Sequence, residues 1–178
     1  MKNSTLNTLF DQLQNAKEAM IGNVDRHTES DQQFNFAEGE WNMLQVVEHI
    51  LTAETGILAF FKKYDPATTT RKPGFTSWMK SKVLNIWMKS PIKAKIPDQR
   101  LSPKGDKPLE DMIVQWETVR DGLSVILDNF PDEKMNYSVF KHPIAGPLTM
   151  PQTLKFMILH IERHTNQIKG IADKIKAA

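Results

Sequence analysis

Apolar residues recur along most of this chain at intervals of three and four, which is the spacing of one face of an α-helix. The pattern predicts four long helices, and no stretch shows the sustained apolar and polar alternation of a strand. The four run from Ser4 or Thr5 to about His27, from Asn42 to Asp65-Pro66, from Pro108 to Phe130-Pro131, and from Thr149 to about Lys176. The polar segment HTESDQQ and residues 132–148 are predicted to be loops.

Two of the predicted helices begin with residues that can cap a helix. Asn42 is followed three residues later by Gln45, and Thr149 is followed at the same interval by Gln152. Each pair predicts a capping box, in which the two side chains bind the backbone N–H groups of the first turn. Pro151 fits the first turn of the last helix, where its missing N–H has no cost.

The segment between the second and third helices carries five prolines in residues 65–107, so no long helix crosses it. One short helix fits in TSWMKSKVLNIWMKS, with Met79, Val83, Ile86 and Trp87 on one side. We therefore predict an all-α fold, a four-helix bundle with a long crossover between helices two and three. Residues 1–178 are predicted to form a single domain.

Charge is unevenly distributed along the chain, although the net charge is only +2. Residues 62–107 hold 12 Lys and Arg against three acids. This basic stretch is either a solvated connection, a surface for nucleic acid or membrane, or an electropositive wall over a pocket for an anionic substrate.

The composition excludes several classes of site and location. There is no cysteine, so disulfides, thiolate metal sites and cysteine nucleophiles are excluded, and any metal must be held by His, Asp or Glu. The first 20 residues lack the apolar run of a signal peptide, and no segment approaches about 20 apolar residues. We expect a cytoplasmic protein with no membrane partner.

Three histidines are the strongest chemical signal in the sequence. His160 and His164 are four residues apart in one predicted helix and therefore neighbours on one of its faces. His49 lies on the apolar face of the second helix. His49 alone, or the pair alone, is more often a structural feature, such as a hydrogen-bonded core residue, than a metal ligand. Together they predict a metal site, because one divalent ion would satisfy three buried imidazoles and keep a position open for water or substrate.

The other candidate residues separate this site from better-known motifs. Ile161 stands where the HExxH metalloprotease motif has glutamate, so a zincin is excluded. Glu162 and Glu48 are predicted to point away from the histidines into solvent. His27 is predicted to be at the surface. His142, before Pro143, either has a structural role in a turn or is a candidate catalytic residue that moves a proton beside the metal.

The sequence resembles the DinB-like, YfiT-like superfamily of metal-binding four-helix bundles. The resemblance rests on Trp41 ahead of the helix with His49, on HPIAGPLT, and on the His160-x-x-x-His164 pair. It covers essentially the whole chain and is weakest around residues 66–107. It implies that the three histidines are metal ligands and that the protein is a homodimer. Members of known activity include S-transferases and isomerases that use a bivalent metal and a thiol such as bacillithiol or mycothiol.

These observations favour a metal-dependent enzyme that activates a thiol or water for S-transfer to, or hydrolysis of, a small-molecule substrate. The ion is expected to be zinc or nickel, with manganese or iron as alternatives. A low-molecular-weight thiol is the expected second cofactor. Two other hypotheses remain: a non-catalytic bundle that stores or senses metal, and, as the weaker one, a stress protein that binds nucleic acid through the basic stretch.

Overall fold

The protein is mostly helical, with one small sheet in the part of the chain that the structure describes. The structure is a computed structural model, and it describes residues 3–69, 71–90 and 101–177. Its elements are α1 (Ser4–Val24), α2 (Glu29–Gln32), α3 (Met43–Phe61), α4 (Phe75–Met88), α5 (Leu109–Asp128), β1 (Ser138–His142), β2 (Gly146–Thr149) and α6 (Met150–Ala177). A short 3₁₀ turn, Asp132–Lys134, precedes β1.

Helix α3 is the centre of the packing. It contacts α1, α5, α6 and β1, and α1 also packs along α6. By length and composition, α3 is the one helix of the described residues that could cross a membrane, which corrects the expectation that no segment is apolar enough. Sixty-one per cent of its apolar window is buried inside the protein, as in the core helix of a globular fold.

The predicted helix starts are confirmed. Asn42 Oδ1 accepts from Gln45 N at 2.8 Å, and Gln45 Oε1 accepts from Asn42 N at 3.0 Å. At the start of α6, Gln152 Oε1 accepts from Thr149 N at 3.0 Å, and Thr149 Oγ1 accepts from Gln152 N at 3.3 Å. Both pairs are capping boxes, so the local sequence sets where α3 and α6 begin.

Two segments predicted to be loops contain regular structure. Residues 132–148 hold the 3₁₀ turn and most of an antiparallel hairpin of β1 and β2, whose inward side chains Val139 and Leu148 are buried. Gly146 allows the tight turn with a φ of +75°. The strands are too short to show an alternating pattern.

The predicted loop HTESDQQ contains α2, which Thr28 and Asp31 cap. Helices α1 and α3 also end three to four residues before their predicted ends.

A buried polar cluster joins α3 to α5. The Glu54 carboxylate on α3 accepts a hydrogen bond from Trp116 Nε1 at 2.7 Å and one from Arg120 Nη2 at 3.0 Å. All three side chains are buried. Because a buried charge that loses its partner is strongly destabilising, this cluster fixes the position of α3 against α5.

Helix α4 lies against α6 and β2. Ser81, Leu84 and Met88 are buried there. Arg163 of α6 holds the end of α4: its Nη1 donates to the carbonyl of Ser90 at 2.6 Å and to those of Trp87 and Met88 at 3.3 Å. The short helix predicted in the crossover is confirmed, and residues 91–100 of that crossover lie outside the described residues.

Candidate metal centre

Folding brings the three predicted histidines together from two helices. His49 comes from the middle of α3, and His160 and His164 come from successive turns of α6. One ring nitrogen from each lies within 4.8 Å of the others. The ring centroids are 5.3 Å apart for His49 and His160, 4.9 Å for His49 and His164, and 4.8 Å for the pair on α6.

This spacing fits a single metal ion. Nitrogen atoms that bind one ion at about 2.0–2.1 Å in a tetrahedral arrangement lie roughly 3.3 Å from each other. Ring nitrogens within 4.8 Å of one another would have to approach by at most about 1.5 Å to reach that separation. Three imidazoles are also a donor set that suits several divalent transition metals.

Hydrogen bonds orient two of the rings. His49 Nδ1 lies 2.8 Å from the carbonyl oxygen of Leu101, and His164 Nδ1 lies 2.8 Å from Gln167 Oε1. With oxygen acceptors at both positions, the tautomer that fits carries its proton on Nδ1. The Nε2 lone pair of each ring is then available to a metal, which is the usual arrangement of a metal-binding histidine.

Aromatic side chains surround the cluster. The Trp41 ring lies 5.0 Å from His49 and 6.5 Å from His164, between centroids. Phe156, one turn before His160, stacks on that ring at 5.4 Å with an interplanar angle of 18°. These rings replace water around the imidazoles and thereby disfavour their charged form.

The imidazoles are accordingly neutral at physiological pH. Burial lowers the pKa of His164 to about 4. Burial, reinforced by the neighbouring histidines and by Arg163, lowers the pKa of His160 well below the usual value. Burial also lowers the pKa of His49, opposed by its bond to the Leu101 carbonyl. Neutral imidazole is the form that binds metal, so no proton has to be displaced at pH 7.

Glu48 was wrongly predicted to face solvent. Its side chain is buried, and its Oε2 accepts from the backbone N–H groups of Lys104 at 2.8 Å and Gly105 at 2.7 Å. Gly105 has a φ of +76°, and a Cβ there would lie 3.0 Å from the Gln45 side chain. Glu48 thus anchors the segment that begins with Leu101, whose carbonyl orients His49. Glu162 is exposed, as predicted.

A comparison with protein families agrees with this geometry. The family model of the DinB superfamily matches residues 12–168, a range that includes all three clustered histidines. The chain belongs to the DinB superfamily. No curated protein and no solved structure matches the chain significantly.

His142 of this DinB-superfamily protein has a defined place in the hairpin. It ends β1, is buried, and its Nδ1 accepts from the backbone N–H groups of Ile144 and Ala145, each at 3.1 Å. Its ring contacts Phe156 with a centroid separation of 4.6 Å, and Phe156 in turn stacks on His160. These contacts favour the turn role over proton transfer. His27, half-buried just beyond α1, is not part of the cluster.

We expect Glu48→Gln to release the segment that Glu48 holds. The neutral amide offers one oxygen in place of a carboxylate, and hydrogen bonds to a charged group contribute about 1.5–3 kcal/mol. Amide hydrogen exchange at Lys104 and Gly105 should become at least about tenfold faster, as measured by NMR or mass spectrometry. Glu162→Gln, at an exposed position of α6, is the matched control and should leave exchange there unchanged. Equal exchange in the two variants would contradict the anchoring role.

We expect His142 to make the fold sensitive to acid. Burial lowers its pKa to about 4, against 6.5 in the unfolded chain. Its contribution to stability is therefore complete above pH 6.5 and is lost as the pH falls toward 4, by up to about 3 kcal/mol. His142→Asn keeps an acceptor oxygen without titrating. The free energy of unfolding of both proteins is measured with urea from pH 7 to pH 4.5. Over that range, the free energy of unfolding of wild type should fall by most of that amount relative to the free energy of the variant. Parallel curves would refute this assignment.

Proposed function

We propose that this DinB-superfamily protein is a metal-dependent enzyme in which His49, His160 and His164 hold one divalent ion. The observation that carries the proposal is the convergence of three neutral imidazoles from two helices within 4.8 Å. The hydrogen bonds of the Nδ1 atoms of His49 and His164 support the proposal further, because they leave Nε2 of each ring to face the ion. Zinc or nickel is the proposed ion, with manganese or iron as alternatives.

The reaction we propose is activation of a thiol or of water for attack on a small electrophilic substrate. An ion held by three protein ligands would keep one coordination position open. It would lower the pKa of a thiol or water bound at that position. The chain's own residues supply the setting. Trp41 and Phe156 exclude water from two sides of the imidazoles, which strengthens electrostatic interactions in the site.

The basic stretch of residues 62–107 supports a thiol cofactor that carries negative charge, such as a low-molecular-weight thiol with carboxylate groups. Helix α4 belongs to this stretch, and Arg163, next to His164, holds it. We propose that α4 covers one side of the substrate. The four long helices would form a bundle with residues 62–108 as its crossover, in a cytoplasmic homodimer.

The proposal predicts about one divalent ion per chain in protein reconstituted with zinc or nickel. His160→Ala should lose the ion, because two imidazoles are too few for a stable site. The control is His27→Ala, which removes an imidazole that lies outside the cluster. Elemental analysis after dialysis measures all three proteins. An ion content in His160→Ala equal to that of wild type would eliminate this site.

A second experiment separates catalysis from metal storage or sensing, which the same three histidines would also permit. Metal-loaded protein is mixed with a low-molecular-weight thiol and a reactive epoxide or halide, and loss of free thiol is followed. We expect consumption above the uncatalysed rate with wild type and none with metal-free protein or His160→Ala. Full metal occupancy without thiol consumption or hydrolysis of the electrophile would favour the non-catalytic alternative.

A further inference from the structure

Helix α4 carries a second apolar side whose residues are exposed. Phe75, Met79, Val83 and Ile86 are 75%, 44%, 59% and 72% exposed. At 100° per residue, these four positions fall within roughly a quarter of the helix circumference. We call them the outer stripe of α4. Large apolar side chains in a contiguous exposed row mark an interaction surface more often than chance.

Lysines border the outer stripe on both edges. Lys82 and Lys89 fall on one edge and Lys80 on the other, and all three side chains are exposed. They belong to the stretch 62–107, in which 12 basic residues face only three acids. A helix with an apolar stripe and flanking lysines has the composition of a segment that lies in a membrane interface.

Within the described part of the chain, α4 is attached to the protein through its other side. Its buried residues Ser81, Leu84 and Met88 lie on the opposite side and pack against α6 and β2. Arg163 binds the carbonyls at its C-terminal end. The helix is therefore already folded and oriented before anything contacts its outer stripe, so little conformational entropy would be lost on docking.

We propose that the outer stripe of α4 docks on an anionic lipid surface, with the four apolar side chains at the boundary between headgroups and acyl chains. Charge complementarity selects this occupant, because each lysine near an anionic surface adds to the attraction. A second copy docked through the same stripe would instead place like charges opposite each other. The attachment is peripheral and reversible. It differs from the expectation of no membrane partner and does not rest on the proposed reaction.

The test uses the full-length protein and phosphatidylcholine vesicles, pure or with a third of the lipid replaced by phosphatidylglycerol, in a co-sedimentation assay. We expect binding to the anionic vesicles alone, weakened by salt. Val83→Ser/Ile86→Ser should reduce the partition coefficient about tenfold or more, because two apolar side chains no longer enter the interface. The matched control is Val114→Ser/Val125→Ser, which removes two residues that are 67% and 62% exposed on α5 and should bind as wild type does.

A second pair of variants tests the lysines. Lys80→Gln/Lys89→Gln should weaken binding by about fivefold per lysine, whereas Lys169→Gln/Lys176→Gln, at exposed positions of α6, should not. Circular dichroism checks that every variant is folded. The proposal is overturned if wild type does not bind anionic vesicles. It is overturned as well if Val83→Ser/Ile86→Ser binds them as strongly as Val114→Ser/Val125→Ser. It is also overturned if sedimentation shows a dimer that only Val83→Ser/Ile86→Ser dissociates, since the stripe is then a contact between copies.

Discussion

The position of α3 against α6 is the constraint on which the candidate site depends. Helix α6 alone places His160 and His164 next to each other. His49 reaches them only when α3 has one particular axial position and rotation relative to α6. Polar contacts hold α3 to its neighbours at two levels: the bond from Glu48 to residues 104 and 105, and the buried cluster of Glu54 with α5. Because each contact has a directional hydrogen bond, the helix cannot slide or rotate without breaking them.

At two places near the histidine cluster, a pair of backbone N–H groups donates hydrogen bonds to one buried side chain. Two consecutive amides hold the Glu48 carboxylate on one side, and two consecutive amides hold the His142 ring on the other. In both cases the backbone of a turn or loop is bound to a buried side chain. Directional hydrogen bonds thereby fix the backbone of both segments near the histidine cluster.

Much of the fold and the cluster itself could be predicted from the sequence. The apolar periodicity located the four long helices, because each buries one face, and Asn42 and Thr149 marked two of the starts. His49 could be placed because it shares its helix face with core residues. Spacing alone placed the other two histidines on neighbouring turns, and the family match covers all three.

Other features depend on partners that local sequence does not specify. Glu48 resembles any acidic residue of a helix until the fold brings two amides from more than 50 residues away against it. The hairpin is too short for its alternation to be visible, and its stability comes from Val139 and Leu148 entering a core built by other elements. In α4, apolar residues occur on two opposite sides, and only packing decides that Leu84 and Met88 face inward.

Arg163 has a consequence for how distant parts of the molecule communicate. Its side chain ends on the last carbonyls of α4, while its backbone lies in the turn between His160 and His164. A tilt of α6 near the imidazoles would therefore reach α4 both through the packing of the two helices and through this guanidinium. Thermodynamic linkage makes such an effect mutual. If a ligand bound at the histidines altered the affinity of α4 for its partner, that partner would alter the affinity of the histidine site by an identical factor.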